Sequence, residues 1–182
     1  MNDQPTPNFY IRDVPVYGDL ILSPMAGFSD QPFRSICREL GSAMSYTEFV
    51  SAEALSHNTK RAWRYFDFLP FERPMVFQLF DNDIDRLATQ CKRAADRLNP
   101  DIIDINMGCS VSNVAQRGAG AGLLRTPDKI AALFNRLSHE LSIPVTGKIR
   151  LGLEDQSRNY LEIPHILEDN AASAVAIHGR TK

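Results

Sequence analysis

The chain has 182 residues and a hydrophobic fraction of 43 %, which suits a single globular domain with a sizeable core. Its formal net charge is −2, so a nucleic-acid partner would have to meet a local basic patch. The three cysteines form no CxxC pair, which argues against a disulfide framework and a metal site and for a reducing, cytoplasmic setting. No apolar signal core and no run of about 18 apolar residues occurs, so we expect no membrane association.

Short apolar runs alternate with amphipathic segments along the chain. Residues 1–18, which include three prolines, are interpreted as a flexible lead-in to a domain that spans residues 19–182. Six segments have the length and composition of strands: 20–24, 44–50, 74–80, 101–106, 144–150 and 173–178. The segments between them predict helices over 29–41, 81–100 and 126–141 and a weaker one over 159–170, opened by Pro164. In the first helix Phe33, Ile36, Cys37 and Leu40 recur at helical spacing.

Six repeats of strand and helix predict parallel strands joined by crossovers, either in a doubly wound sheet or in a (β/α)₈ barrel. Within the fifth strand, Val145 and Ile149 face one way, whereas Thr146, Lys148 and Arg150 face the other. The other strands show the same division, and the second face becomes polar toward the carboxyl end. Because a sheet covered on both faces would be almost continuously apolar, the pattern favours an α/β TIM barrel, whose active groups project from the carboxyl ends of its strands.

Cys109 is the strongest candidate for chemistry, because it directly follows a strand and lies beside glycines. Cys37 and Cys91 lie on apolar helix faces, where a cysteine is usually inert. A thiol in an ordinary environment has a pKa of about 8.5 and can donate a proton at neutral pH. No histidine lies near Cys109 in sequence to activate it as a nucleophile.

Polar side chains near four strand ends would converge on one mouth of a barrel: Gln78, Asn106, Lys148 and His178. An amine such as Lys148 could balance an anionic ring or form a Schiff base. The side-chain amides of Gln78 and Asn106 could hydrogen-bond backbone groups or bind the polar edge of a flat heterocycle. At 24–27, a proline and small residues would let the backbone lie against a planar ligand.

Two further segments carry weaker signals. The glycine-rich run 116–124 lacks the spacing of a phosphate-binding loop and is predicted to be a mobile loop before a Thr126 cap. Residues 57–73 interleave basic and aromatic side chains. They form either a solvated helix with an aromatic face or a patch for RNA phosphates and splayed bases.

Seven stretches between residues 15 and 182 carry a resemblance to a known family: "LSPMAGFSDQPFR", "YTEFVSAEAL", "VFQLF", "DINMGCSVSNV", "GAGLLRTPDKI", "VTGKIRLG" and "AIHGRT". In this order they closely resemble the tRNA-dihydrouridine synthases, and "NMGC" with "GKIRLG" and "IHGRT" is a specific combination. The glycine-rich run is more similar to the bacterial than to the eukaryotic branch. Two positions depart from the family pattern: Ser110, where a proline is usual, and Asn113, where a basic residue is common.

The resemblance implies an FMN-containing TIM barrel that reduces the C5–C6 double bond of particular uridines in tRNA, with NADPH as the reductant of the flavin. It implies hydride delivery to uracil C6 and proton donation from Cys109 to C5. It further implies that Asn106 holds the uracil and that Arg150 lies near flavin or RNA. The implied flavin contacts are Pro24, Met25, Ala26, Gln78, Lys148 and His178.

The chain stops after the sixth predicted strand. A TIM barrel has eight, so we expect strands seven and eight and the family's C-terminal helical domain to be absent and the chain to be the N-terminal part of a larger synthase. Three alternatives stay open: another FMN barrel acting on a free pyrimidine, a Schiff-base aldolase using Lys148, and a non-catalytic RNA-binding remnant.

Overall fold

The computed structural model describes residues 6–182. The strands are β1 (Phe9–Ile11), β2 (Val14–Val16), β3 (Ser45–Tyr46), β4 (Val50–Ser51), β5 (Met75–Phe80), β6 (Ile102–Met107), β7 (Val145–Arg150) and β8 (Ala174–His178). The α-helices are α1 (Gln31–Glu39), α2 (Ala52–Ser56), α3 (Lys60–Trp63), α4 (Ile84–Leu98), α5 (Ser112–Ala115), α6 (Pro127–Glu140) and α7 (Glu162–Asp169). Short 3₁₀ helices cover Arg64–Phe66, Pro70–Glu72, Gly120–Arg125 and Asp155–Ser157.

Six strands form one curled, parallel sheet with the order β3–β5–β6–β7–β8, and β4 also pairs with β5. The predicted strand 44–50 is therefore split into β3 and β4. Between them the Thr47 hydroxyl oxygen, rather than a backbone carbonyl, accepts the Gln78 N–H at 3.0 Å. This side-chain bond interrupts the regular ladder. The α/β sheet, with helices on its outer face, corresponds to about half of a barrel.

The two faces of the sheet have separate cores, as the alternation in the sequence predicts. On the outer face, Ile103 and Ile105 of β6 are buried with the apolar stripes of α4 and α6. A side chain at Gly147 would meet Phe134 and Leu167, so the missing Cβ lets α6 and α7 approach β7 closely. The inner face has a smaller apolar cluster at its base, in line with the predicted barrel interior.

Residues 9–16 form an antiparallel hairpin, which corrects the interpretation of residues 1–18 as a flexible lead-in. Ile11 and Val16 of this hairpin are buried in the inner cluster beside Ile102. The hairpin tolerates a proline because β2 pairs on one side only. Residues 1–5 of the predicted lead-in lie outside the described residues.

Residues 20–24 do not form the predicted first strand. Their contact with the β3 region consists of one backbone bond, from Ala43 N–H to the Leu20 carbonyl, and one from Leu22 N–H to the Ser42 hydroxyl. Pro24 has no N–H to continue a ladder. The apolar run therefore follows an extended but irregular path.

Helix α1 forms where predicted, with Asp30 as its N-cap, but its buried residue is a charged one. Arg34 is 2 % exposed and pairs with the fully buried Glu72 at 2.9 Å. It also donates to the carbonyls of Ser29 and Asp67. The predicted apolar stripe of α1 instead remains largely exposed, with Leu40 at 83 %.

Candidate active site

A cleft of about 700 Å³ opens at the carboxyl ends of β6, β7 and β8. Eight of the nine residues predicted for the site line it: Pro24, Met25, Ala26, Asn106, Cys109, Lys148, Arg150 and His178. The parallel register explains this convergence, because Asn106 pairs with Lys148 and Arg150 pairs with His178. Residues that are distant in sequence thus end on one rim of the sheet.

The backbone of the cysteine segment, residues 108–110, is held on both sides. The Asn106 side-chain oxygen accepts N–H groups from Gly108 at 3.1 Å and Cys109 at 2.9 Å. Arg150 donates from Nε to the Gly108 carbonyl at 2.6 Å and from Nη2 to the Ser110 hydroxyl at 3.4 Å. Serine thus provides an acceptor where the resemblance leads one to expect proline. The thiol-bearing residue is only 8 % exposed and faces the cleft from a fixed backbone.

The glycine-rich run is packed beneath the cysteine segment, which corrects its prediction as a mobile loop. Residues 120–124 are buried in a 3₁₀ helix, and the Ala121 N–H donates to the Cys109 carbonyl at 3.0 Å. A Cβ on Gly120 would lie 2.8 Å from the Cys109 Cβ, and Gly120 has φ +55°. The glycines allow close packing rather than motion. Thr126 precedes α6 as predicted, but its side chain makes no cap bond.

Positive charge dominates the cleft. Burial lowers the pKa of the Lys148 ammonium, although the negative charge of Asp104 opposes this shift. Burial and the neighbouring cations likewise lower the pKa of His178. Within residues 6–182, neither side chain has a hydrogen bond or an ion pair at the cleft. Their polar atoms are therefore available to a ligand.

Comparison with known proteins identifies the family of this chain. A profile of the dihydrouridine synthases (Dus) matches residues 21–182. The chain belongs to the dihydrouridine synthase family.

Among the relatives of this dihydrouridine synthase chain is tRNA-dihydrouridine synthase B of Pseudomonas syringae pv. tomato. It is 35 % identical over 167 residues, covering 92 % of this chain and 49 % of the relative. The protein of the same name from Pseudomonas aeruginosa is 35 % identical over 163 residues, covering 90 % and 49 %. A "Probable tRNA-dihydrouridine synthase" of Rhizobium leguminosarum bv. phaseoli is 36 % identical over 163 residues, covering 90 % and 51 %. The chain thus spans about half the length of the curated relatives it matches.

The cleft of this family member fits a flat, electron-accepting cofactor. Its volume lies in the range of about 300 to 1,000 Å³ that small-molecule and cofactor sites occupy. The irregular backbone at 24–26 forms one wall, and Lys148 and His178 provide unpaired polar groups. Cationic side chains suit a ring that becomes anionic on reduction. Among residues 6–182, no group of His, Cys, Asp and Glu side chains is arranged to hold a metal ion.

Gln78 is the one predicted flavin contact that does not line the cleft. It is fully buried and lies between Asp104 and Asn106. Its Nε2 donates to Asp104 Oδ2 at 2.6 Å, and its Oε1 accepts from Asn106 Nδ2 at 2.9 Å. Gln78 lies below the mouth because it pairs with Asp104, two residues before Asn106, in the β5–β6 register.

Two residues of the site were missed in the sequence. Asp104 is fully buried on the inner face of β6, directly below Asn106. The signal was present, because an acidic residue within an apolar strand needs polar partners. Phe49 lines the cleft and packs edge-on against Phe80, with ring centroids 5.3 Å apart. No pattern in the sequence distinguishes it from a core aromatic residue.

The basic and aromatic segment 57–73 divides between core and surface. Trp63 and Phe66 are buried, so they offer no face to a splayed base. Arg61, Arg64 and Tyr65 line a second cavity of about 400 Å³. That cavity also includes Gly27, which directly follows the cleft residue Ala26. The exposed part of the segment therefore lies next to the cleft.

No helix within residues 6–182 combines the length and hydrophobicity that a bilayer crossing requires.

Proposed function

We propose that this chain provides the catalytic cleft of a tRNA-dihydrouridine synthase, which reduces uridine to 5,6-dihydrouridine in tRNA with FMN and NADPH. The observation that carries the proposal is that one cleft brings together the Cys109 thiol, the Lys148 ammonium and the His178 imidazole. Family membership and the names of the relatives support the same reaction. Since those relatives are about twice as long, we also propose that further strands complete an eight-stranded barrel.

FMN would be held between the 24–26 wall and the polar groups of Lys148 and His178. When bound, the flavin supplies the hydride for uracil C6, and NADPH is the source of its electrons. The polar groups of these two side chains would hold the polar edge of the ring. The flavin performs the redox chemistry, and the protein provides orientation and charge.

Cys109 would donate its thiol proton to uracil C5. The transfer leaves a thiolate, and the positive charges of Lys148 and Arg150 on the cleft wall stabilise it. The Asn106 oxygen is occupied by two backbone N–H groups. One hydrogen of its Nδ2 remains for a uracil carbonyl, because Gln78 takes only the other.

RNA would approach over the neighbouring cavity. The target base has to leave the tRNA stack to reach a cleft of this depth. Arg61 and Arg64 lie where they can neutralise phosphates beside the flipped nucleotide, and the half-exposed ring of Tyr65 can stack on a base.

The proposal is tested with the purified chain, FMN, NADPH and an unmodified tRNA transcript. Dihydrouridine is measured by mass spectrometry of the digested RNA, and FMN binding by titration of flavin fluorescence. General acid catalysis typically contributes about 10²- to 10⁴-fold. We therefore expect Cys109→Ala to lose at least about a hundredfold in rate while FMN affinity changes little.

Lys148→Met provides the complementary result, because it should weaken FMN binding without removing the proton donor. Cys37→Ala is the matched control, since Cys37 lies on α1 away from the cleft. An affinity for FMN that Lys148→Met leaves unchanged, or full activity of Cys109→Ala, would contradict the proposal. Binding of tRNA that is insensitive to Cys109→Ala and is accompanied by no turnover would instead favour an RNA-binding role.

A further inference from the structure

A chain of three buried side chains connects the cysteine segment to the interior of the sheet. Asp104 accepts from Gln78 at 2.6 Å, Gln78 accepts from Asn106 at 2.9 Å, and Asn106 accepts the backbone N–H groups of residues 108 and 109. We call Asp104, Gln78 and Asn106 the amide relay. Its members come from the adjacent strands β5 and β6.

The two ends of the amide relay determine its direction. Backbone N–H groups can only donate, so the atom of Asn106 that meets them has to be its oxygen. The Asn106 nitrogen then faces Gln78 and requires the Gln78 oxygen. The Gln78 nitrogen consequently faces Asp104, whose carboxylate accepts it. One orientation of both amides, with each side-chain oxygen toward the cysteine segment, makes all of these hydrogen bonds.

Water cannot replace a member of the relay, because Gln78 and Asp104 are fully buried and Asn106 is only 7 % exposed. The second carboxylate oxygen of Asp104 accepts the Thr146 hydroxyl at 2.6 Å, which fixes the carboxylate plane. Breaking the relay would therefore leave a buried polar group without a partner, which costs more than an exposed hydrogen bond. The cost would appear at the other end of the relay, as weaker anchoring of the backbone of residues 108 and 109.

We propose that Asp104 is a positioning residue: through Gln78 and Asn106 it fixes the backbone of residues 108 and 109 and thus the place of the Cys109 thiol in the cleft. Its meaning for catalysis rests on the proposed function, whereas the anchoring of the segment can be measured without substrate or cofactor. Asp104 itself does not line the cleft.

Exchanging the two ends of the relay provides the test. In Asn106→Asp, the new carboxylate still accepts the two N–H groups but requires the Gln78 nitrogen. The Gln78 oxygen then faces Asp104, and two acceptors meet whenever the Asp104 carboxyl group is ionised. In the double variant Asp104→Asn/Asn106→Asp, residue 104 gains a nitrogen that donates to the reversed Gln78. The relay then runs in the opposite direction with every partner satisfied.

The measurement is amide hydrogen exchange of residues 108 and 109 together with iodoacetamide alkylation of Cys109, both at pH 8 and quantified by peptide mass spectrometry. Cys37, outside the relay, is the internal reference for alkylation. Loss of a hydrogen bond worth about 1 kcal/mol corresponds to about a fivefold change, and two such bonds to about thirtyfold. We expect both rates to rise by about tenfold in Asn106→Asp and in Gln78→Met.

The double variant should return both rates to within about threefold of the wild type. Gln90→Met is the matched control, because Gln90 is a buried glutamine on α4 outside the relay, and we expect it to leave both rates unchanged. If Asn106→Asp does not fold, recovery of folding in the double variant is itself the expected rescue, and a thermal melting curve measures it. A double variant no better than Asn106→Asp, or Gln78→Met with wild-type rates, would overturn the proposal.

Activity separates the two proposals. With tRNA, Gln78→Met should lower kcat by about tenfold with KM nearly unchanged, since Gln78 does not line the cleft. If the wild-type chain forms no dihydrouridine but the exchange pattern holds, the proposed function fails and the amide relay stands. If dihydrouridine forms but the double variant gives no rescue, the amide relay fails and the proposed function stands.

Discussion

Two fully buried charged side chains are stabilised in different ways. Arg34 faces the Glu72 carboxylate and two backbone carbonyls, so its charge is compensated inside the protein. Among residues 6–182, the side chain of Asp104 receives hydrogen bonds only from the neutral groups of Thr146 and Gln78. Burial therefore raises the pKa of Asp104 to about 7, although these hydrogen bonds and the charge of Lys148 oppose the shift. A carboxyl group in this protein thus titrates near neutral pH.

Asp104 should make the stability of the protein depend on pH. The unfolded carboxyl has a pKa of 3.8 and the folded one a pKa of about 7, so the folded state binds the additional proton between these values. The stabilisation by Asp104 is complete below about pH 4 and is lost as pH rises through 7. The difference between the folded and unfolded pKa values corresponds to at most about 4 kcal/mol of stability. Relative to Asp104→Asn, the wild-type melting temperature should therefore fall between pH 4.5 and 8.

Melting curves of both proteins across this pH range check the prediction. Asp96→Asn, on the exposed side of α4, controls for the loss of one negative charge. The difference between wild type and Asp104→Asn isolates Asp104 from other groups that titrate in the same range. Parallel melting profiles for the two proteins would show that Asp104 stays ionised throughout.

Elements with a regular period were predictable from the sequence, and close-packed irregular segments were not. Helix α4 and strands β5 to β8 form within a few residues of their predicted positions, because their apolar patterns match their burial. The polar strand ends also predicted the cleft. The predicted strand at 20–24 failed because strand formation depends on neighbours that local sequence does not reveal. The packing of residues 120–124 against Cys109 depends on tertiary contacts that glycine content alone does not indicate.

Gly122 shows how tightly this segment is packed. A Cβ at this position would lie 2.2 Å from the carbonyl oxygen of Ala115, which is backbone and cannot rotate away. Gly122→Ala should therefore lower the free energy of unfolding by about 1 to 3 kcal/mol or more. Gly179→Ala is the control, because nothing lies within 4 Å of a Cβ there, and it should change stability by less than about 0.5 kcal/mol. Urea denaturation measures both, and equal stabilities would contradict the packing argument.

At the scale of the whole molecule, the sheet has two ends without a partner strand among residues 6–182. One end is β8, beyond its pairing with β7, and the other is β3, whose preceding residues 42 and 43 are hydrogen-bonded to residues 22 and 20. Large apolar side chains are exposed near the β3 end of the sheet: Leu20 at 77 %, Ile36 at 55 % and Leu40 at 83 %. Where such exposed apolar side chains form a contiguous patch, they mark an interaction site or cause association.

We expect the isolated chain to associate with itself through this apolar face as concentration rises, because burying the exposed side chains gains about 25 cal/mol per Å². The double variant Ile36→Lys/Leu40→Glu should shift sedimentation velocity profiles toward the monomer. Its melting temperature should change little, since neither residue belongs to the buried core. Leu161→Glu removes a leucine of similar exposure, 67 %, beside α7, and should leave association unchanged. Association that persists in the double variant would assign the contact to the open edge of β8 instead, where unpaired backbone groups favour strand pairing.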